Sequence, residues 1–286
     1  MRVYITRAKK IILKRVSNTR MKTISIVMPC LNAVSYIEDA LRSIDNQNDN
    51  DIELIVIDGG STDGTLELLE KKKWPISVLI SEPDKGAPDA LNKGFSLAKG
   101  DVLGWLNADD TYISENVISI VTFSDPFVDF AYGHSVGISA EGIVTKTSFA
   151  WPMTLRDYQR GSDIFTGSLF FSSHAWKEFA GFDLKYTVIF EYELIDFLLA
   201  NFTPVLINKH IAALRHYPGT LSDRLRFRIN EECVELRGNK KKMDVQFLLN
   251  RLYSLSNKKL LNEAIKNSFK DKFAGRNWED VFKIND

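Results

Sequence analysis

Two acids stand side by side in "WLNADD", Trp105 to Asp110, with Asn107 two positions before Asp109. Hard divalent cations prefer oxygen ligands. Magnesium and manganese commonly take one or two carboxylates together with substrate phosphates. In an extended segment alternate residues point to one side, so Asn107 and Asp109 would face a shared ligand. An acid pair capping the following helix explains the same residues. A second stretch, "DGGSTDG", begins at Asp58. Its glycines let a ligand approach the backbone closely, and its carboxylate can accept from a base N–H or a ribose hydroxyl. It is not GxGxxG and lacks the Lys-Ser/Thr of a P-loop, which argues against a dinucleotide dehydrogenase or a P-loop hydrolase. A tight strand-to-helix turn is the structural alternative. "FEYELIDFLLA" carries Glu191 and Glu193 at a helix start, where each acid contributes only ~0.3–1 kcal/mol by its position.

These residues need elements to hold them. "TISIVM" is a strand-like apolar run, followed by the turn residues Pro29 and Asn32. "SYIEDALRSI" then places Ile37, Ala40, Leu41 and Ile44 at helical spacing, with Ser35 and Glu38 as a capping-box signature. "ELIVI" and "ISVLI" are further strands, and the second ends in "SEPDKG" with Asp84 and Lys85. Pro88 fits a first helical position, and Gly100 stands where that helix would stop. "DVLGWLN" is the fourth strand. Alternation of strands and helices with short loops predicts a mostly parallel sheet flanked by helices. Ligands of such sheets lie beyond the carboxyl ends of the strands. Asn32, Asp58, Asp84 and Asp109 all follow strands and are expected to converge there.

Residues 128–150 suggest a β-ribbon, "TGSLFFSS" a buried strand, and "SHAWKEFAGFD" a short helix stopped by Gly181. From about Leu221 the chain reads as helical and charged, with Arg224, Arg226 and Arg228 clustered. The expected organisation is a basic segment over 1–22, a catalytic domain over 23–222 and a helical extension over 223–286.

With 44% hydrophobic and 26% charged residues the composition is that of a globular protein. The formal net charge is zero, so no global field favours nucleic acid, and no nucleic-acid partner is expected. Cys30 and Cys233 give neither zinc spacing nor a disulfide framework, which suits a reducing compartment. The four histidines show no metal-type spacing. No apolar run approaches the ~18 residues of a spanning helix. The first 22 residues carry eight Lys or Arg and no acid, so residues 1–20 are a candidate for peripheral contact with an anionic membrane surface.

Taken in order, "SIVMPCLNAVSYIEDALRSI", "ELIVIDGGSTDGT", "ISEPDKGAPDALNKGFSLAKGD" and "WLNADD" closely resemble family 2 glycosyltransferases, which have the GT-A fold. The resemblance is dense over Thr23 to Tyr112 and thinner to about Ser222. It implies an α/β fold with a nucleotide-sugar half over 23–112 and an acceptor half over 113–222. It also implies inversion at the anomeric centre, Mn2+ or Mg2+ as cofactor, and a cytoplasmic enzyme, with the basic segment allowing contact with the inner face of the membrane. The acceptor implied is a glycan or a lipid-linked one.

By the same resemblance, Pro29 and Asn32 lie in the first nucleotide loop and Asp58 contacts the base. Asp84 and Lys85 flank base and ribose, with Asp89 and Asn92 behind. Asp109 matches the metal-binding acid of the family's Asp-x-Asp signature, whose first position is Asn107 here. Asp110 stands behind it. The family's catalytic base aligns with Glu191, with Glu193 as close rival. An acceptor hydroxyl is a poor nucleophile, so a carboxylate must take its proton. "LRHYPGTLS" departs from the pattern: Tyr217 stands where a His usually precedes the turn, with His216 one step earlier. A catalytically idle nucleotide-sugar-binding or partner-binding member remains the alternative. A nucleotidyltransferase would need a Gly-rich, Arg- or Lys-bearing loop that "MPCLNAVSY" lacks.

Overall fold

The structure is a computed structural model that describes residues 23–48, 52–71, 74–123, 129–159 and 164–237. The basic segment and residues 238–286 of the expected helical extension lie outside the described residues.

The first half alternates as the apolar patterning demands. Strands β1 (Ile24–Cys30), β2 (Ile52–Asp58), β3 (Ile76–Ser81) and β4 (Val102–Trp105) are joined by helices α1 (Ile37–Asp45), α2 (Thr65–Lys71) and α3 (Ala87–Leu97). All pairings among these strands are parallel. Successive strand residues face opposite sides of the sheet. Ile26 and Met28 of β1 therefore pack in one core with α1, while Val27 packs in the other with Leu91 and Phe95 of α3. Both faces are covered, which is why these strands read as unbroken apolar runs.

Register places the site. Cys30 lies opposite Asp58, Asp58 opposite Ser81, and Val27 opposite Trp105. The loops after all four strands thus leave the sheet at one edge.

Beyond β4 the sheet becomes mixed. Its elements are β5 (Thr111–Tyr112), α4 (Val117–Phe123), β6 (Phe130–Ile138), β7 (Val144–Ser148), α5 (Leu155–Gln159), β8 (Leu169–Ser172), α6 (Ser173–Phe179), α7 (Phe190–Asn201), β9 (Val205–Arg215), α8 (Leu221–Arg224) and α9 (Arg226–Arg237). The strand order is β3-β2-β1-β4-β8-β6-β9-β5, with β7 on β6, so one sheet runs through both halves. The expected ribbon is the antiparallel β6–β7 pair. Through Ile229, Cys233 and Leu236, α9 packs against the core that holds α3 and α7.

Local expectations are corrected at several points. The N-cap of α1 is Tyr36, with no side-chain cap, and Glu38 instead pairs with Arg42 at 2.6 Å one turn on. Gly86 caps α3, so Pro88 is its second residue; the helix ends at Leu97 with Ala98 as cap, short of Gly100. Gly100 serves close approach, since a Cβ there would meet Ser25 N at 2.5 Å. Pro29 lies inside central strand β1 rather than in the loop after it. The β4 ladder stops at Val27, which leaves room for an imide two residues later. The 11-residue strand β9 was not legible in the sequence.

Candidate functional site

At the edge where the parallel strands end, three loops interlock. Asn32 follows β1 in a left-handed conformation (φ 52°), which Asn tolerates better than most residues. Its N–H donates to Ser61 Oγ at 2.7 Å, and its Oδ1 accepts from Thr62 N at 2.9 Å. Asp58, the last residue of β2, is fully buried. Its carboxylate accepts from Ser61 N at 3.1 Å, from Ser81 Oγ at 2.6 Å and from the Ser61 hydroxyl. Burial alone would raise its pKa, but these bonds overcome that and leave it below the usual carboxylate range. These bonds and its burial make Asp58 the anchor of this loop.

Asp84 comes in over the same loop. A Cβ on Gly59 would lie 2.7 Å from Asp84 Oδ2, so a glycine is needed for the approach. Asp84 Oδ1 accepts from Gly86 N at 2.8 Å, and burial raises the carboxyl. Lys85 is exposed, and its N–H donates to Asp89 Oδ2 at 3.0 Å, so Asp89 secures the entry to α3.

The fourth loop carries the acid pair. Asp109 Oδ2 accepts from the Tyr217 hydroxyl at 3.0 Å. Asp110 is buried, with Oδ1 accepting from Arg215 N at 3.0 Å and Oδ2 from Asn107 Nδ2 at 2.9 Å. Burial pushes both carboxyls up, and the charge of Asp109 adds to the shift at Asp110. Asn107 is therefore tied to Asp110, while Asp109 is tied to Tyr217.

Strand β9 supplies the frame for this loop. The Arg215 guanidinium is buried, donating to Asp109 O at 3.0 Å, Ala140 O at 2.8 Å and Asp39 Oδ2 at 2.8 Å. It also lies 4.8 Å from the Tyr36 ring, and Tyr36 packs on Tyr217 with centroids 4.7 Å apart. Tyr217 was visible in the sequence only as a departure from a pattern. Arg215 gave no signal there, because its partners come from three distant segments, around Tyr36–Asp39, Asp109–Asp110 and Ser139–Ala140.

Among the described residues no group of three or more His, Cys, Asp and Glu side chains gathers as a metal cluster. Asp109 alone still suits the way magnesium and manganese bind, through one or two carboxylates plus substrate phosphates. A cation there would also offset the burial that raises its carboxyl.

Glu191 and Glu193 occupy the first turn of α7. Phe190 stacks on Trp105 at 6.0 Å, which brings that turn beside the strand that ends in the acid pair. Glu193 Oε2 accepts from Asp183 N at 3.2 Å, and burial raises its carboxyl. Asn92 of α3 does more than stand behind the loops that follow the parallel strands. It exchanges two bonds with the backbone of Phe182, 2.8 Å to its N–H and 2.9 Å to its carbonyl, tying α3 to the segment that leads into α7. Phe170, Phe171 and Phe179 pack in the cores.

A model of "Glycosyl transferase family 2" matches residues 25–176, more than half of the chain. The chain is 27% identical over 180 residues to a chondroitin synthase of Pasteurella multocida, covering 61% of this chain but 18% of that protein. It is 28% identical over 198 residues to a PGL/p-HBAD biosynthesis glycosyltransferase of Mycobacterium bovis, covering 65% of this chain and 73% of the relative. Among solved structures, S. aureus TarS 1-349 in complex with UDP-GlcNAc matches with a TM-score of 0.56 at 19% identity, over 70% of this chain and 60% of that one. The mannosyltransferase PcManGT from Pyrobaculum calidifontis, in complex with GDP-Man and Mn2+, matches with a TM-score of 0.57 at 18% identity, over 83% of this chain and 72% of that one. At these identities the structural matches establish a GT-A-like fold.

Proposed function

The chain belongs to glycosyl transferase family 2 and is a glycosyltransferase, and we propose that it is a metal-dependent, inverting one that moves a sugar from a nucleotide-sugar donor to an acceptor hydroxyl. The observation that carries this reading is Asp109. It is an acid raised by burial, held by one oxygen at the edge where the Asn32, Asp58 and Asp84 loops meet.

In this reading Asn32, Asp58, Asp84 and Lys85 form the pocket for the nucleoside, and Asp109 holds Mn2+ or Mg2+. A bound cation supplies charge to offset that developing on the departing diphosphate. Glu191 takes the proton of the acceptor hydroxyl as its oxygen bonds to the anomeric carbon, opposite the breaking bond to the β-phosphate. The nucleoside diphosphate leaves with the electron pair. The resemblance to the family aligns the base with Glu191, and Glu193, whose carboxylate accepts from the Asp183 amide, is its rival.

The proposed acceptor is a surface polysaccharide or a lipid-linked glycan. The names of the chondroitin synthase and of the PGL/p-HBAD glycosyltransferase support this class. The proposed location is the cytoplasmic face of the membrane, reached through residues 1–20. No helix among the described residues is long and apolar enough to cross a membrane.

Asn107 bears on the second reading, an idle nucleotide-sugar-binding member, because its amide is spent on Asp110 and brings no charge to the donor. A screen of UDP-, GDP- and dTDP-sugars with manganese separates the two, read by thermal shift and nucleotide release. Binding without release across donors and acceptors would support the idle reading. Release that persists in excess chelator would remove the metal from the mechanism.

A further inference from the structure

The helix that presents Glu191 has no cap of its own. Its N-cap is Ile189, and its third residue is Tyr192, so neither half of a capping box is available in the local sequence. The missing acceptor comes from 43 residues further along the chain. Glu232, on α9, is buried and aims its carboxylate at the segment just before α7. It accepts from Thr187 N at 3.1 Å, Thr187 Oγ1 at 2.7 Å, Val188 N at 2.9 Å and Ile189 N at 3.2 Å. Hydrogen bonds to an ionised acceptor are roughly twice as strong as neutral ones, and negative charge is favoured at a helix N-terminus. Arg228, one turn earlier on α9, lies 3.9 Å from the same carboxylate.

We propose that Glu232 is the positioning residue for the base of transfer: its carboxylate gathers the backbone of Thr187–Ile189 and so fixes the first turn of α7, where Glu191 stands. The inference rests on the reading of Glu191 as base.

Among the described residues, hydrogen bonds hold the segment from Phe182 to Ile189 at three places, and Lys185 adds an ion pair at 3.7 Å to Glu235 of α9. Asn92 binds Phe182 in both directions, Glu193 binds the Asp183 amide, and Glu232 gathers the last three residues. On the other side of the turn Phe190 rests on Trp105. The first two anchors and the Trp105 contact come from the body of the domain. The third comes from α9 alone, so the C-terminal helix takes part in aligning the base. A misplacement of about 1 Å in a reacting group can cost about a hundredfold in rate.

Glu232→Gln tests this with the shape kept. A neutral amide has one acceptor oxygen, and its NH2 would face N–H donors. Nucleotide release is followed on the donor selected by the screen above and expressed per donor-binding site, titrated with UDP or GDP and manganese. Turnover per site is expected to fall about tenfold to hundredfold, with nucleotide affinity within about twofold. Amide exchange over Thr187–Ile189 should quicken. Loss of fold alone would lower the number of sites and leave turnover per site unchanged, so that result overturns the proposal. Should Glu232→Gln not fold, Thr187→Val removes one of the four donors and should give a smaller loss in the same direction; wild-type turnover per site there overturns the proposal too. Glu191→Gln runs alongside. Near-normal turnover in Glu191→Gln defeats the base assignment, whereas a dead Glu191→Gln beside a normal Glu232→Gln defeats this inference alone.

Discussion

The Tyr217 hydroxyl donates to Asp109 Oδ2 across 3.0 Å, joining the end of β9 to the loop after β4. Such a partner orients a carboxylate toward whatever its other oxygen binds. Removing an outer partner of a metal ligand typically costs ~10–100-fold in metal affinity. Tyr217→Phe should therefore weaken manganese-dependent binding of UDP or GDP by that order, measured calorimetrically. Asp109→Ala should abolish it, and chelator should reproduce the loss in the wild type. Unchanged affinity in Tyr217→Phe would make the hydroxyl incidental.

The two acids of α7 are separable in one assay. General-base catalysis contributes ~10²–10⁴-fold, and Glu191→Gln should lose turnover on that scale with donor affinity nearly intact. Glu193→Gln should lose less, since its described bond is to the Asp183 amide. The reverse ranking would exchange their roles.

Stability should respond to acid through Glu232. Burial raises its carboxyl, but the bonds from Thr187, Val188 and Ile189 overcome that and leave it below the usual range. A folded-state pKa below the unfolded one means a contribution fully present above the unfolded value, about 4.3, and lost as pH falls through the folded value. The Tm gap between wild type and Glu232→Gln should be steady near neutral pH and close in that acid window. A gap independent of pH would show that ionisation of Glu232 is not what stabilises the contact.

Gly94 tests how closely α3 lies on the sheet. Alanine there gains about 1 kcal/mol in helix propensity, but its Cβ would meet Val27 Cγ1 at 2.3 Å and Ile57 Cγ1 at 3.3 Å. Overpacking costs ~1–3 kcal/mol, so Gly94→Ala should lower the denaturant midpoint. A raised midpoint would mean that α3 lifts off the sheet at little cost.

Deleting residues 1–20 should weaken binding to anionic vesicles and spare turnover of a soluble acceptor. The binding should fall with salt, because exposed charges are screened over ~10 Å at 0.1 M. Equal vesicle binding by both proteins counts against the membrane contact.

The parallel half of the sheet was legible in the sequence because its signals are local. Apolar runs ending in Asn32, Asp58, Asp84 and Asp109 mark parallel strands, and parallel strands send their loops to one edge. The same logic misjudged Ser35 and Gly100: the cap of α1 falls at Tyr36, and α3 stops short of Gly100, which lies close against β1 instead.

What only the tertiary structure decided is which long-range partner each acid has. Asp109 faces Tyr217, Asp110 the Arg215 amide, and α7 a carboxylate from α9. These partners lie 108, 105 and 43 residues apart along the chain. Hydrophobic period reports which face of an element is buried and nothing about what meets it across such a gap. For the acids the pairing depends on how β9 and α9 are laid against the sheet, and that is settled by the whole core at once.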